Sequence, residues 1–320
     1  MKIAIVIILV LLLSCEFVSA SEPEQAICAQ QVQEVIGKLN ILYAKQQAPL
    51  IPFDSTQLSC GEEPTTLWKT RFYRCSFPSG MVFECLPEEK QVVGYIGINP
   101  DIFTDKIPMP QLTLQQAAEA AKPWVKAVLG DLPLNLAPPR GTFHFNMRDA
   151  HRFYSGEWHI RWQRTDAHGH LFERDDLVAE YSEKFGLIAC FSNFNSTFDT
   201  PLGKPISKED ALAVARPAAE DWLKNKMSAS VTGSGWHLGP VQAELWVVDP
   251  NNFFHSETKA QIVNDLHARL AWKCVFPLVS EKTPSELEHL HAVVVKIDAL
   301  TKEVIGGDYQ PIGKNPGSQK

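Results

Sequence analysis

A helix start written twice, 94 positions apart, constrains this chain more than any other feature. Leu112-Thr113-Leu114-Gln115-Gln116-Ala117-Ala118-Glu119-Ala120-Ala121-Lys122-Pro123 returns as Ile206-Ser207-Lys208-Glu209-Asp210-Ala211-Leu212-Ala213-Val214-Ala215-Arg216-Pro217. Hydroxyl, acceptor, paired small or apolar residues, base and proline recur in register. Self-similarity at a fixed interval means that one supersecondary pattern is used more than once, so the fold is read as an array. Thr113 with Gln116, and Ser207 with Asp210, have the hydroxyl-x-x-acceptor spacing of a capping box. Behind the caps, Leu114, Ala117, Ala118, Ala121, Val125 and Val128 follow helical spacing, as do Ala211, Leu212, Ala215, Ala218, Trp222 and Leu223. Each helix therefore carries a small-residue face that can lie close on a sheet. Pro123 and Pro217 stand ten residues past the caps, where they are expected to end or kink the helix.

After each helix the apolar period changes to two. Phe143, Phe145 and Met147 alternate with polar neighbours, and Trp158, Ile160 and Trp162 alternate with His159, Arg161 and Gln163. Residues 177–181 and 187–191 follow, joined by the turn Ser182-Glu183-Lys184-Phe185-Gly186. The later copy repeats the order: residues 241–248, then Leu270, Trp272, Cys274 and Phe276 on one face, then 292–298 and 303–305 as a closing hairpin. Consecutive strands after a single helix imply an α+β fold, with antiparallel sheet and the helix on one face.

A degenerate third copy occupies the N-terminal part. Gln25-Ala26-Ile27 echoes the helix core, and Phe72-Tyr73-Arg74-Cys75-Ser76-Phe77-Pro78 echoes Ala271-Trp272-Lys273-Cys274-Val275-Phe276-Pro277. The expected organisation is a signal peptide at 1–20, a degenerate α+β unit at 21–105, units at 112–198 and 206–309, and a flexible tail at 310–320.

The two later units resemble PepSY-type domains, in the longer variety found in tandem in YcdB-like exported bacterial proteins. The residues that carry the resemblance are the Thr- or Ser-capped Ala-rich helix and the strand Trp158-His159-Ile160-Arg161-Trp162-Gln163-Arg164. Gly169 in a turn and the hairpin Asp298-Ala299-Leu300-Thr301-Lys302-Glu303-Val304 complete it. That hairpin usually has a glycine before its last strand. Gly186 keeps it in the middle unit, whereas Lys302 and Glu303 occupy the turn in the last. The resemblance implies tandem helix-on-sheet units, cystatin-like in outline. It also implies a non-catalytic module outside the cell that binds or restrains a peptidase.

The first twenty residues read as an export signal. Lys2 is a minimal positive region, Ile3 to Leu13 are unbroken apolar residues, and Val18-Ser19-Ala20 is a small-residue cleavage site. Eleven apolar residues are too few to span a bilayer, which takes about twenty. A second reading stands beside soluble export: Leu12-Leu13-Ser14-Cys15 resembles a lipoprotein box, which would lipidate Cys15.

Removing Cys15 leaves Cys28, Cys60, Cys75, Cys85, Cys190 and Cys274. An even set in an exported chain suggests disulfides, although six cysteines allow 15 pairings. Pro78-Ser79-Gly80 is a turn signal, and a three-residue loop of Ser79, Gly80 and Met81 sets Cys75 opposite Cys85, close enough to bridge. Cys28 with Cys60 is then the local alternative, and buried free thiols are the remaining reading.

No catalytic or cofactor-binding constellation is present in the sequence, and neither a metal nor a cofactor is expected. His168-Gly169-His170 and His289-x-His291 lack the third and fourth ligands, and the His-Glu-x-x-His or Cys-x-x-Cys spacing, that would make a zinc site. Glu173, Asp175 and Asp176 lack the spaced oxygen ligands of a calcium loop, and they read as charges protecting a strand edge. Gly233-Ser234-Gly235 is not a nucleophile elbow. Trp158, Trp162 and Trp272 read as sheet packing. The net charge of −7 is dispersed, without the basic stripe of a nucleic-acid binder.

The expected function is binding of a protein or peptide partner through exposed sheet edges or a concave sheet face. A hydrolase would have to gather His159, His168 and His170 near Asp175. A purely structural, lipid-anchored envelope protein is the third reading.

Overall fold

The computed structural model describes residues 22–63, 71–97, 108–131, 135–148, 153–194, 196–227, 236–251, 253–254, 267–280 and 290–312. The signal segment with Cys15, Gly233-Ser234-Gly235, His289 and residues 313–320 lie outside them. The chain divides into two compact units, residues 1–98 and 99–320. The sequence segments 112–198 and 206–309 lie together in the second.

In the first unit, α1 (Glu22–Lys45) is followed by a short 3-10 turn (Ser55–Gln57). Four strands come next: β1 (Ser59–Glu63), β2 (Phe72–Ser76), β3 (Val82–Leu86) and β4 (Gln91–Ile96). They pair as an antiparallel meander in chain order. Cys28, Val32, Val35, Ile36, Leu39 and Tyr43 recur at helical spacing and are all buried, so one stripe of α1 faces the sheet.

The second unit uses the pattern of helix then meander twice. The helix α2 (Leu114–Leu129) precedes β5 (Arg140–Arg148), β6 (Phe153–Thr165), β7 (Leu171–Ser182) and β8 (Gly186–Ser192). The helix α3 (Lys208–Met227) precedes the short β9 (Trp236–Leu238), then β10 (Gln242–Val248), β11 (Arg269–Ser280), β12 (Leu290–Asp298) and β13 (Val304–Ile312). The strands β10 to β13 form an antiparallel meander, and β9 pairs with the end of β11. A short parallel pairing, Trp246 with Leu171 and Val247 with Phe172, joins β10 to β7. The two meanders are thus parts of one mixed sheet, in an α+β fold.

Both caps form where expected. The Thr113 and Gln116 side chains satisfy each other's backbone N–H in a complete capping box. The Ser207 hydroxyl accepts from the Asp210 N–H at 3.0 Å, but Asp210 returns to the hydroxyl and not to the backbone. The prolines do not end the helices, because α2 and α3 run through Pro123 and Pro217. Both prolines are exposed, so solvent can satisfy the carbonyl that each leaves without its N–H partner. The tail begins later than expected, since β13 pairs with β12 as far as Ile312.

A common device closes each meander. The register shifts at Cys85, at Tyr181 and at Ile297, one bulge per closing hairpin. A residue with positive φ ends each turn: Lys90 (52°), Gly186 (80°) and Lys302 (64°). A left-handed residue beside a bulge keeps the strand twist through a short loop. Lys302 therefore takes the conformation that glycine supplies in the middle hairpin. At Gly186 glycine is required twice over, because an added Cβ would also lie 2.6 Å from Trp124.

Opposite each bulge stands an aromatic residue: Tyr73, Trp158 and Trp272. Each spends its polar atom at the start of the helix of its own segment. The Tyr73 hydroxyl donates to Glu24 at 2.9 Å, and Trp272 Nε1 donates to the Ile206 carbonyl at 3.1 Å. Trp158 Nε1 donates at 2.8 Å to Glu183, which also accepts from the N–H groups of Gln111 and Leu112.

Candidate functional site

One step along from those aromatics, on the other face of the sheet, lies the most informative difference between the meanders. Arg74 faces Glu84 across β2 and β3, and His159 faces Glu180 across β6 and β7. At the same place in the last meander, Lys273 faces Lys296 across β11 and β12. Like charges directly opposite on a sheet are destabilising, and Lys296 is only 3% exposed. Such a break with local rules requires a compensating partner.

The compensation comes from β7. Glu173 takes Lys296 in a short ion pair and Lys273 at 3.1 Å, and Lys296 Nζ also donates to the Asp249 carbonyl at 3.3 Å. Burial would raise the Glu173 carboxyl, but the two ammonium groups outweigh it and hold the pKa below the ordinary glutamate value. Glu244 stands opposite Lys273 on β10, and the Asp249 carboxyl lies near Lys296. Nearby, burial raises the Asp249 carboxyl against the pull of Arg174, and Asp175 and Glu173 add to the rise.

These groups line a cleft of about 710 Å³. Arg140, Arg161, Arg174, Lys273 and Lys296 border it, against the carboxylates of Glu173 and Asp308. Trp246 and Phe253 give it an aromatic wall, with Lys273 Nζ 4.5 Å from the Trp246 ring centre. Asn251 fixes the rim: its side chain donates to the Gly307 carbonyl at 2.9 Å and accepts from the Gly307 and Phe253 N–H groups.

Strand alternation puts this cleft on the face away from α3. Ala243, Cys274, Phe276, Val293, Val295 and Ile297 pack with Ala211, Ala215 and Ala219 of the helix. Trp246, Lys273 and Lys296 have the opposite parity in their strands. Likewise Trp158, Ile160 and Trp162 are buried, while Arg161 and Gln163 turn to the cleft. The tryptophans at 158 and 162 are packing residues, as expected.

The histidines do not assemble with Asp175. His168 and His170 sit in the turn between β6 and β7, held by Asp166. One Asp166 oxygen accepts from both of their N–H groups, and the other lies 2.9 Å from His170 Nδ1. His159 lies between Glu157 and Glu180 and meets the His144 ring edge-on, with ring centres 4.5 Å apart. Asp175 is fully buried and committed to Arg164 at 2.6 Å and to the Ser196 N–H at 3.1 Å. The gathered cluster that a hydrolase reading requires is therefore not formed by these residues. His291 stacks on Tyr309. Glu173, Asp175 and Asp176 each hold a lysine or arginine, so they are salt-bridge partners and not a free strand-edge charge row.

The cysteine pairing differs from the expected one. Ser76 pairs with Val82, so Cys75 stands opposite Phe83, and Cys85 stands opposite Tyr73. The loop is Pro78-Ser79-Gly80, one residue earlier than expected, which moves each cross-strand partner by two and leaves Cys75 and Cys85 diagonal. Direct opposition does produce a disulfide, but on the other side of β2. Cys75 faces Cys60 of β1 with Cα atoms 4.1 Å apart, and the two are bonded. Cys28, Cys85, Cys190 and Cys274 are free and buried. The Cys28–Cys60 alternative is thereby excluded as well. Strand β1 carries no clear alternation in Ser59-Cys60-Gly61-Glu62-Glu63, so pattern reading missed it and the partner of Cys75 with it. The lysine pair left a trace in the sequence: Lys273 falls between Trp272 and Cys274, but nothing local predicts that Lys296 will face it.

No protein family matches the chain, and no curated protein matches it. Among solved structures it is similar to the Bacillus megaterium YpeB C-terminal domain, at 13% identity and a TM-score of 0.37. The similarity covers 92% of this chain and 99% of that one. Among the described residues, no helix is long and apolar enough to cross a membrane.

Proposed function

We propose that this is an exported, non-catalytic binding protein whose sheet face opposite α3 takes a carboxylate-bearing segment of a protein or peptide. The observation that carries the proposal is the opposed pair Lys273 and Lys296 at a cleft that Arg140, Arg161 and Arg174 also border. A ligand carboxylate would meet several cations there, and charge-assisted hydrogen bonds are the strong ones. Trp246, and Phe253 on the side not stacked on Trp222, add apolar surface for an adjacent side chain.

The build behind this site is three copies of one helix-plus-meander segment. Support comes from the recurrent bulge, positive-φ residue and aromatic opposite the bulge. The PepSY-type resemblance suggests a peptidase as the partner that presents the segment. Export is supported by the N-terminal apolar stretch and by the Cys60–Cys75 disulfide, a bond favoured in oxidising compartments.

The test is titration of the full chain with short Asp- and Glu-bearing aromatic peptides and their carboxamide twins, followed by Trp246 fluorescence. Binding of the acidic peptides, weakened about tenfold by Lys273→Ala, is the expected result, equivalent to about 1.4 kcal/mol for one charged contact. Equal response to the carboxamide twins, or none to either, would overturn it.

A further inference from the structure

Three sulfur atoms meet in the first unit. The Sγ atoms of Cys28 on α1, Cys75 on β2 and Cys85 on β3 all lie within 4.8 Å of one another, and all three residues are fully buried. Cys75 is already bonded to Cys60 of β1. The two remaining thiols, Cys28 and Cys85, have their sulfurs within 4.8 Å of each other. Helix, middle strand and edge strand thus bring four of the six mature cysteines to one point.

We propose that Cys28 and Cys85 form a second disulfide, which staples α1 to β3 beside the Cys60–Cys75 bond. Three arguments support it. The two Sγ atoms already lie within 4.8 Å of each other, on facing elements. A metal would compete poorly, because the Cys60–Cys75 bond leaves two thiolates and a structural zinc site takes four ligands. The first unit is also small, and small exported units commonly supplement a limited core with such cross-links.

The chemistry balances as thiol–disulfide exchange with a disulfide oxidant, such as oxidised glutathione or the disulfide of an oxidoreductase. Cys28 as thiolate attacks one sulfur of the oxidant, and one thiol leaves. Cys85 then attacks the mixed disulfide, giving the Cys28–Cys85 bond and a second thiol. In total, two protein thiols are oxidised and one external disulfide is reduced to two thiols. Exchange precedes the closing of α1 on the sheet, because both sulfurs are afterwards inaccessible.

The other two free cysteines serve as an internal control. Cys190 on β8 and Cys274 on β11 are buried, and burial alone raises both thiols, Cys274 to about 12.

The full chain, exported into an oxidising compartment, is to be denatured without reductant, alkylated and digested. The expected result is alkylation at Cys190 and Cys274 only, with one peptide pair joining Cys28 to Cys85 and another joining Cys60 to Cys75. Reductant applied to the folded chain should leave the Cys28–Cys85 link intact, whereas reductant with denaturant removes it. Alkylation at all four of Cys28, Cys85, Cys190 and Cys274 would overturn the proposal. So would a Cys28–Cys60 or Cys75–Cys85 link, or stoichiometric zinc in the purified protein.

Discussion

The two meanders of the second unit share a backbone plan and differ at one cross-strand pair. In β6 and β7, His159 meets Glu180; in β11 and β12, Lys273 meets Lys296. Both pairs stand next to a bulge, on the face opposite the packed aromatics Trp158 and Trp272. The first meander keeps its partners within its own strands, with Glu157 and Glu180 both beside His159. The second depends on Glu173 from β7, a hundred or more positions away in sequence. Equivalent scaffolds thus carry unequal sites, and the meander that breaks the pairing rule borders the cleft.

The largest effect should come from Glu173. Glu173→Ala leaves Lys296 buried without its carboxylate and is expected to cost about 3–4 kcal/mol in urea unfolding, the range for an orphaned buried charge. Glu180→Ala, at the more exposed pair, should cost under about 1 kcal/mol. Equal costs would break the comparison.

The same contrast has a pH signature. Glu173 is held below its ordinary value when folded, so its contribution is complete above about pH 4.3 and is lost as pH falls through the lower, folded value. Asp249, raised by burial, works in the opposite sense, gaining stability on protonation. Glu173→Gln should therefore flatten the acid limb of the stability curve. An unchanged limb would mean that the lysine pair does not depend on this carboxylate.

Smaller effects sharpen the comparison at the hairpin turns. Gly186→Ala puts a Cβ at positive φ and against Trp124, with an expected loss of about 2–3 kcal/mol. At the matching turn Lys302→Gly relieves the backbone and gives up only an exposed ion pair to Asp210. The expected result is a gain of about 0.5 kcal/mol. Opposite signs at the two sites in thermal unfolding would establish that one backbone conformation is imposed on both.

Much of this architecture was legible in the chain itself. The caps at Thr113 and Ser207, the small-residue helix faces and the alternation around Trp158 and Trp272 depend on neighbours three or four residues away, or two, so a linear pattern records them. Where the expectation failed, the deciding partner was remote or the solvent intervened. Exposed Pro123 and Pro217 are tolerated because water can take the freed carbonyls. Cys75 found Cys60 because a weakly patterned edge strand set the register.

Sequence alone determined that a capped helix followed by alternating strands would recur, because helix and strand periods and caps are local properties. Tertiary structure alone decided which charges would meet. Strand register brought Lys273 and Lys296 face to face, and the parallel join of β7 to β10 carried Glu173 between them. That outcome depends on distances closed only by folding, where low solvation makes a single unmatched charge costly.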